Sequence, residues 1–313
     1  IGPMTFSLLL QRYGSATAAL RAVPELAKRG GRTLKPASRA VAEAELAANE
    51  AAGARLLFKG SNDYPARLAQ FDDAPPVLSM RGATHLLGRP AVAVVGARNA
   101  SINAQRLAQS LAEELAQEGY VIVSGLARGI DAAAHNGGLA GGTIAVVAGG
   151  IDVTYPPENA DLQDSIAESG LLLAEMPPGT QPTPRHFPIR NRIISGLAKG
   201  VLVVEAAERS GSLITAREAA ERGGEVMAVP GSPLDPRSAG CNHLIREGAT
   251  LVRGTGDILE ALARPSTASL PDPADWRAAR LAPGPPEAVD RCREVILEGL
   301  GPEGIDIDEL VRW

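Results

Sequence analysis

The chain has 313 residues, 45% hydrophobic and 21% charged, a globular composition that excludes a low-complexity or fibrous protein. Its formal net charge of −5 excludes a generally basic nucleic-acid binder, so any such site must be a local patch. Only 3% of the residues are aromatic, so the core is aliphatic, as in a parallel sheet covered by helices.

Residues 1–57 read as helices, with Leu8, Leu9 and Tyr13 and then Ala19, Leu20 and Val23 at helical spacing. The apolar start, residues 1–11, is too short to span a bilayer and has no basic leader. It opens inside a helical pattern, which points to residues before Ile1. Leu57 and Phe58, followed by Gly60 and Ser61, close this region, and the turn residues Asn62, Asp63, Pro65, Pro75 and Pro76 connect it onward.

From Ala91 one rhythm dominates. Aliphatic runs at 91–95, 120–123, 143–147, 171–174, 201–204, 225–229 and 250–252 predict strands. Between and after them, 104–117, 130–137, 159–168, 190–198, 213–221, 242–247 and 257–263 predict helices. Strands alternating with helices give an α/β, mainly parallel sheet with helices on both faces, placed at residues 62–264. Six prolines make 265–286 an extended linker. Two short helical patterns in 287–313 form part of a further module that cannot bury a core alone. Cys241 and Cys292 lack CxxC spacing and read as reduced thiols of a cytosolic protein.

Ligands of an open parallel sheet bind beyond the carboxyl ends of its strands. Glycine and small residues gather there: Gly96-Ala97-Arg98, Ser124-Gly125 through Arg128-Gly129, Gly149-Gly150, Ser210-Gly211-Ser212 and Pro230-Gly231-Ser232. Each precedes a predicted helix, whose free N–H groups and dipole favour an anion. Five such loops at one edge point to a phosphate-rich ligand. The dinucleotide fingerprint and the P-loop are both absent, which disfavours NAD and ATP. The stretch 185–192 holds three arginines, one histidine and Phe187, the ingredients of single-strand binding. A solvated charged loop, or arginines bracing a helix from inside, would have the same composition.

The four histidines show no zinc spacing, and no serine sits in a GxSxG elbow. Asp131 and His135 are i,i+4 neighbours and read as a packed or ion-paired couple.

Taken together, these loops resemble the DprA/Smf family (DNA-processing protein A). The resemblance rests on Val95-Gly96-Ala97-Arg98 with Ser101, and on Ser124-Gly125-Leu126-Ala127-Arg128-Gly129-Ile130-Asp131 with His135. Gly149-Gly150-Ile151-Asp152 with Tyr155-Pro156 and Glu158-Asn159 continues it, and Phe187-Pro188-Ile189-Arg190-Asn191-Arg192 is its most distinctive stretch. Ser210-Gly211-Ser212-Leu213-Ile214-Thr215, Pro230-Gly231 and Gly240-Cys241-Asn242 complete the order. Many relatives carry a basic residue where this chain has Pro157, so one phosphate contact is lost or moved, Arg185 being the nearest replacement.

The resemblance implies an extended Rossmann-like domain that binds single-stranded DNA without cofactor or catalysis. It also implies loading of RecA recombinase during natural transformation, a homodimer and a cytoplasmic location. Residues 1–57 then correspond to a small helical N-terminal domain and 287–313 to the start of a winged helix. The expected DNA site comprises Gly96, Arg98, Ser101, Ser124, Gly125, Arg128 and Asn159, then Arg185, Phe187, Arg190, Asn191 and Arg192, and finally Ser210, Gly211, Ser212 and Thr215. Backbone donors at Gly96, Gly125 and Gly211, with Arg98, Arg128 and Arg192, would hold phosphates, and Phe187 or Tyr155 would stack a base. The rival expectation is a nucleotide-processing hydrolase of the lysine-decarboxylase-like group, whose glutamate assists glycosidic chemistry and to which the stretch 211–218, ending in Glu218, is a loose parallel.

Overall fold

The computed structural model describes residues 2–29 and 36–263. The expected linker at 265–286 and winged-helix start at 287–313 lie outside the described residues.

Three helices come first: α1 (Pro3–Tyr13), α2 (Ala16–Arg29) and α3 (Arg39–Ala51). Pro3 opens α1, where its missing N–H costs nothing, and Gly14, at a φ of 74°, ends it by donating to the Leu10 carbonyl. Ser38 caps α3 by accepting from the Val41 N–H.

Among the described residues nine strands follow: β1 (Arg55–Phe58), β2 (Val77–Gly82), β3 (Ala91–Val95), β4 (Val121–Ser124), β5 (Thr143–Gly150), β6 (Leu171–Met176), β7 (Gly200–Val203), β8 (Glu225–Ala228) and β9 (Thr250–Leu251). They form one sheet in the order β1-β2-β6-β5-β4-β3-β7-β8-β9. The seven strands from β6 across to β9 are parallel, and β1 and β2 extend the β6 edge in antiparallel fashion. The helices from 66 onward are α4 (Ala66–Ala69), α5 (Ile102–Gln117), α6 (Ile130–Gly138), α7 (Ala160–Ser169), α8 (His186–Leu197), α9 (Ser212–Glu221), α10 (Ala239–Arg246) and α11 (Thr255–Ala263).

The sheet therefore starts earlier than the sequence suggests. Residues 55–58 form strand β1, not the end of a helical region, and the stretch taken as a connection contains β2. Arg55 pairs with Met80 and Ser79 with Ala174, so both segments find their hydrogen bonds in the sheet.

Helices cover both faces, as expected. On one face Ala93, Val95, Val123, Val146 and Val201 pack against Ile193, Ile194 and Leu197 of α8 and Ala216 of α9. On the other, Val92, Val94, Ile122 and Leu202 pack against Ala108, Leu111 and Leu115 of α5 and Ile130 of α6. Every residue of β3 is buried, so its run is continuous rather than alternating. Each large aliphatic side chain so enclosed contributes about 1.5–3 kcal/mol.

From β3 the chain builds β4, β5 and β6 on one side, then crosses back to place β7 on the other. The helices leaving β3 and β7 diverge to opposite faces, and a crevice opens between their N-terminal loops. In an open α/β sheet this is where ligands bind.

Candidate nucleic-acid interface

The first wall of the crevice is the loop after β3. Gly96 lies against α6; a methyl group there would stand 2.6 Å from Ile130. Ser101 caps α5 by accepting from the Ala104 N–H at 3.1 Å. Its hydroxyl donates to Glu205 Oε2 at 2.7 Å, and its N–H donates to Glu205 Oε1 at 3.1 Å. The Glu205 carbonyl accepts from the Ala97 N–H at 2.6 Å. Glu205, buried just beyond β7, thus ties the two walls of the crevice together.

The second loop follows β4. The Ser124 hydroxyl is buried and donates to the Val94 carbonyl at 2.7 Å. The Gly125 and Ala127 N–H groups donate to Asp131 Oδ2 at 3.2 and 3.4 Å. Between them Leu126 adopts a left-handed conformation at a φ of 55° while fully buried. Such a backbone is strained for a residue other than glycine and needs its surroundings to hold it. Asn159 does so by donating to the carbonyls of Leu126 at 2.9 Å and Ala127 at 3.3 Å.

Arg190 of α8 runs beneath this loop. It is 6% exposed and donates from Nη1 to the Val146 carbonyl at 2.7 Å. A methyl group on Gly125 would lie 1.6 Å from that nitrogen, so the glycine exists to let the guanidinium pass. Burial pushes Arg190 down to about 10, with the nearby Asp131 opposing the shift. Burial also raises the Asp131 carboxyl, against the pull of Arg190 and the two amides. His135 does not meet Asp131: its Nδ1 bonds the Thr143 hydroxyl at 2.7 Å. That hydroxyl donates to the Ile122 carbonyl, so Nδ1 carries the proton. Burial holds this imidazole down at about 3.

The side chains of Ser101, Ser124, Asn159 and Arg190 bond to other parts of the protein, and the Gly125 N–H is taken by Asp131. Arg192 bonds the Asp73 carbonyl and the Glu175 carboxylate. It faces the other side of α8, because two residues along a helix turn a side chain by about 200°. Ser101, Ser124, Asn159, Arg185 and Arg192 line neither cleft described next.

A cleft of about 550 Å³ occupies the crevice between β3 and β7. It brings together Gly96, Arg98, Phe187, Arg190, Asn191, Ser210, Gly211, Ser212 and Thr215. A second cleft, about 250 Å³, lies beside it and contains Gly125, Arg128 and Tyr155. Arg98, Ala127 and Phe187 belong to both and form the ridge between them. On that ridge the exposed Arg98 guanidinium stands 4.7 Å above the Phe187 ring. Tyr155 stands 5.7 Å from the same ring at 51°. Arg128 is exposed but pairs with Glu158, the residue after Pro157. Ser210 and Ser212 share a hydroxyl–hydroxyl bond of 2.7 Å, and Asn191 donates to the Gly211 carbonyl at 3.4 Å. A methyl group on the exposed Gly211 would meet nothing, so no crowding explains that glycine.

The expected set omits Asp131, Arg209 and Ile214, which also line the larger cleft. Arg209 directly precedes Ser210-Gly211-Ser212, so its place in a phosphate-type loop was the signal available for it. Among the described residues no group of three or more His, Cys, Asp or Glu is placed to hold a metal, and no helix is long and apolar enough to cross a membrane.

Comparison with known proteins agrees with this architecture. The family model for DNA recombination-mediator protein A matches residues 55–263, and that for a DprA-like N-terminal HHH domain matches residues 1–48. DNA processing protein DprA of Streptococcus pneumoniae is 51% identical over 198 residues, 63% of this chain and 70% of that protein. The Bacillus subtilis protein of the same name is 44% identical, over 69% of this chain and 74% of its own length. Protein Smf of Escherichia coli is 45% identical over 66% of this chain, which spans 56% of Smf. The X-ray structure of the Streptococcus pneumoniae protein superposes with a TM-score of 0.67 at 45% identity, covering 72% of this chain and 78% of that one. A structure addressing the single-stranded DNA binding mode of Helicobacter pylori DNA processing protein A gives a TM-score of 0.61 at 31% identity, covering 67% of this chain and 95% of that one. With a sheet of this order, a crevice at its carboxyl edge and matches over most of its length, the chain belongs to the DprA/Smf family of DNA recombination-mediator proteins.

Proposed function

We propose that this chain binds single-stranded DNA across the carboxyl edge of its sheet, with the strand lying over the ridge formed by Arg98 and Phe187. The observation that carries the reading is the exposed Arg98 guanidinium above the Phe187 ring, where two clefts meet. An arginine for phosphate beside an aromatic face for a base is the pairing that single-strand sites use. The acidic net charge leaves attraction to local groups, and the contacts on offer are to backbone phosphates, so little sequence preference follows. The binding mode studied in the Helicobacter pylori relative supports the same ligand class.

The family also supports a larger role: handing the bound strand to RecA recombinase during natural transformation, as a cytoplasmic homodimer without cofactor or catalysis. In this reading the helices α1 to α3 form an accessory domain and the sheet domain that begins at β1 binds the strand. The hydrolase alternative needs Glu218 at the cleft. Glu218 lines neither cleft and instead meets the Ser195 hydroxyl at 3.4 Å.

The test is an anisotropy titration of a labelled oligothymidylate and a duplex of equal length at about 50 and 200 mM salt. Preference for the single strand, weakening as salt rises, is expected. Equal affinity for the two forms at the higher salt refutes the reading.

A further inference from the structure

We infer that Arg209 is a phosphate-binding residue of the larger cleft, facing Arg98 from the opposite wall. This rests on the single-strand reading above and deepens it.

Among the described residues, four arginines line the two clefts: Arg98, Arg128, Arg190 and Arg209. Two are already balanced by carboxylates. Arg128 pairs with Glu158, and the buried Arg190 lies in the field of Asp131. Asp131 is itself occupied by the Gly125 and Ala127 amides. Among the described ion pairs none involves Arg98 or Arg209. Both are exposed, and each comes from a different half of the sheet, Arg98 after β3 and Arg209 after β7. Each wall of the crevice thus carries an exposed arginine that takes part in no ion pair among the described residues.

The groups beside Arg209 suit the same ligand. Thr215 is 1% exposed and lines the cleft. Arg190 also lines the cleft, and among the described residues its buried Nε has no hydrogen-bond partner. A buried donor left unmatched costs about 1–3 kcal/mol, so an acceptor that reaches it from the cleft is favoured. A phosphodiester offers acceptor oxygens and a negative charge, whereas an amine or an apolar group offers neither. Arg209 meets a phosphate as a planar fork, which a lysine does not copy.

The test compares Arg209→Gln and Arg209→Lys with the unaltered protein, and with Arg106→Gln as a control on the exposed face of α5, away from both clefts. Affinity for a labelled oligothymidylate is measured across a salt series. Arg209→Gln is expected to bind about tenfold more weakly, the worth of one charge-assisted hydrogen bond. Its salt slope should be shallower by about 0.7. Arg209→Lys should keep the slope and lose part of the affinity. Melting temperatures should stay together, because an exposed side chain is removed. If the unaltered protein binds the strand and Arg209→Gln matches it in affinity and slope, the assignment of Arg209 is overturned while the DNA reading stands. If the unaltered protein does not bind the strand, both fall.

Discussion

Replacing Arg190 with methionine keeps much of the side chain's aliphatic volume and removes its charge. The guanidinium is almost wholly buried, donates to the Val146 carbonyl and offsets the buried Asp131 carboxyl. Its loss leaves that carbonyl unmatched and Asp131 supported by the Gly125 and Ala127 amides and the more distant charge of Arg98. Breaking a buried charge pair from one side costs about 3–5 kcal/mol. At about 2–4 °C per kcal/mol for a fold of this size, the melting temperature should fall by about 6–20 °C. Gly125→Ala should act through the same contact, because its methyl would stand 1.6 Å from Arg190 Nη1. The double variant should therefore be less destabilised than the sum of the two, since methionine vacates that space. Thermal melts of the three variants, paired with oligothymidylate titrations at a temperature where all are folded, decide the matter. A variant at position 190 that melts with the parent yet binds DNA weakly and with a shallower salt slope would refute the reasoning and return Arg190 to the surface of the site.

Three further outcomes are expected. Arg98→Ala should lower single-strand affinity and reduce the salt slope by about 0.7, while costing no more than about 1 kcal/mol of stability for the lost contact with Phe187. Phe187→Ala should weaken binding by about 1–3 kcal/mol with the salt slope unchanged, because it removes a stacking face and no charge; a changed slope would assign the loss to a displaced Arg98. His135 is neutral in the folded chain down to about 3, against an ordinary 6.5, so below about 6.5 the unfolded chain binds the extra proton. Stability should then fall with pH across that window by up to about 1.4 kcal/mol per pH unit, and His135→Gln should flatten that part of the profile in denaturant titrations.

The strands from β3 to β9 were legible because each is a short aliphatic run ended by glycine or another small residue, and a strand buried on both faces admits little else. β1 and β2 were not, since Arg55, Ser79 and Arg81 interrupt their apolar pattern and prolines lie between them. They become strands because the β6 edge offers unpaired backbone groups, a fact about the assembled sheet rather than the segment. The site was legible as a set of loops but not as a set of side chains. Arg98 and Arg192 have the same charge, and only the turn of α8 and the placement of Glu175 and Asp73 send Arg192 inward. Ser101 looked like a ligand for phosphate, yet its partner Glu205 lies 104 residues further along the chain. Pairings at such separations leave no mark in local spacing.

Glu205 also bears on how binding is partitioned between heat and disorder. Its carboxylate holds Ser101 and its carbonyl holds the Ala97 amide, so the width of the crevice is set before any ligand arrives. A single strand, by contrast, comes in as a flexible chain and must give up its freedom on the protein. Most of the entropy lost on association then belongs to the nucleic acid, and the protein behaves as a rigid template. Cutting the brace with Glu205→Gln would move part of that loss onto the protein, and calorimetry would register it as a less favourable binding entropy for the same strand.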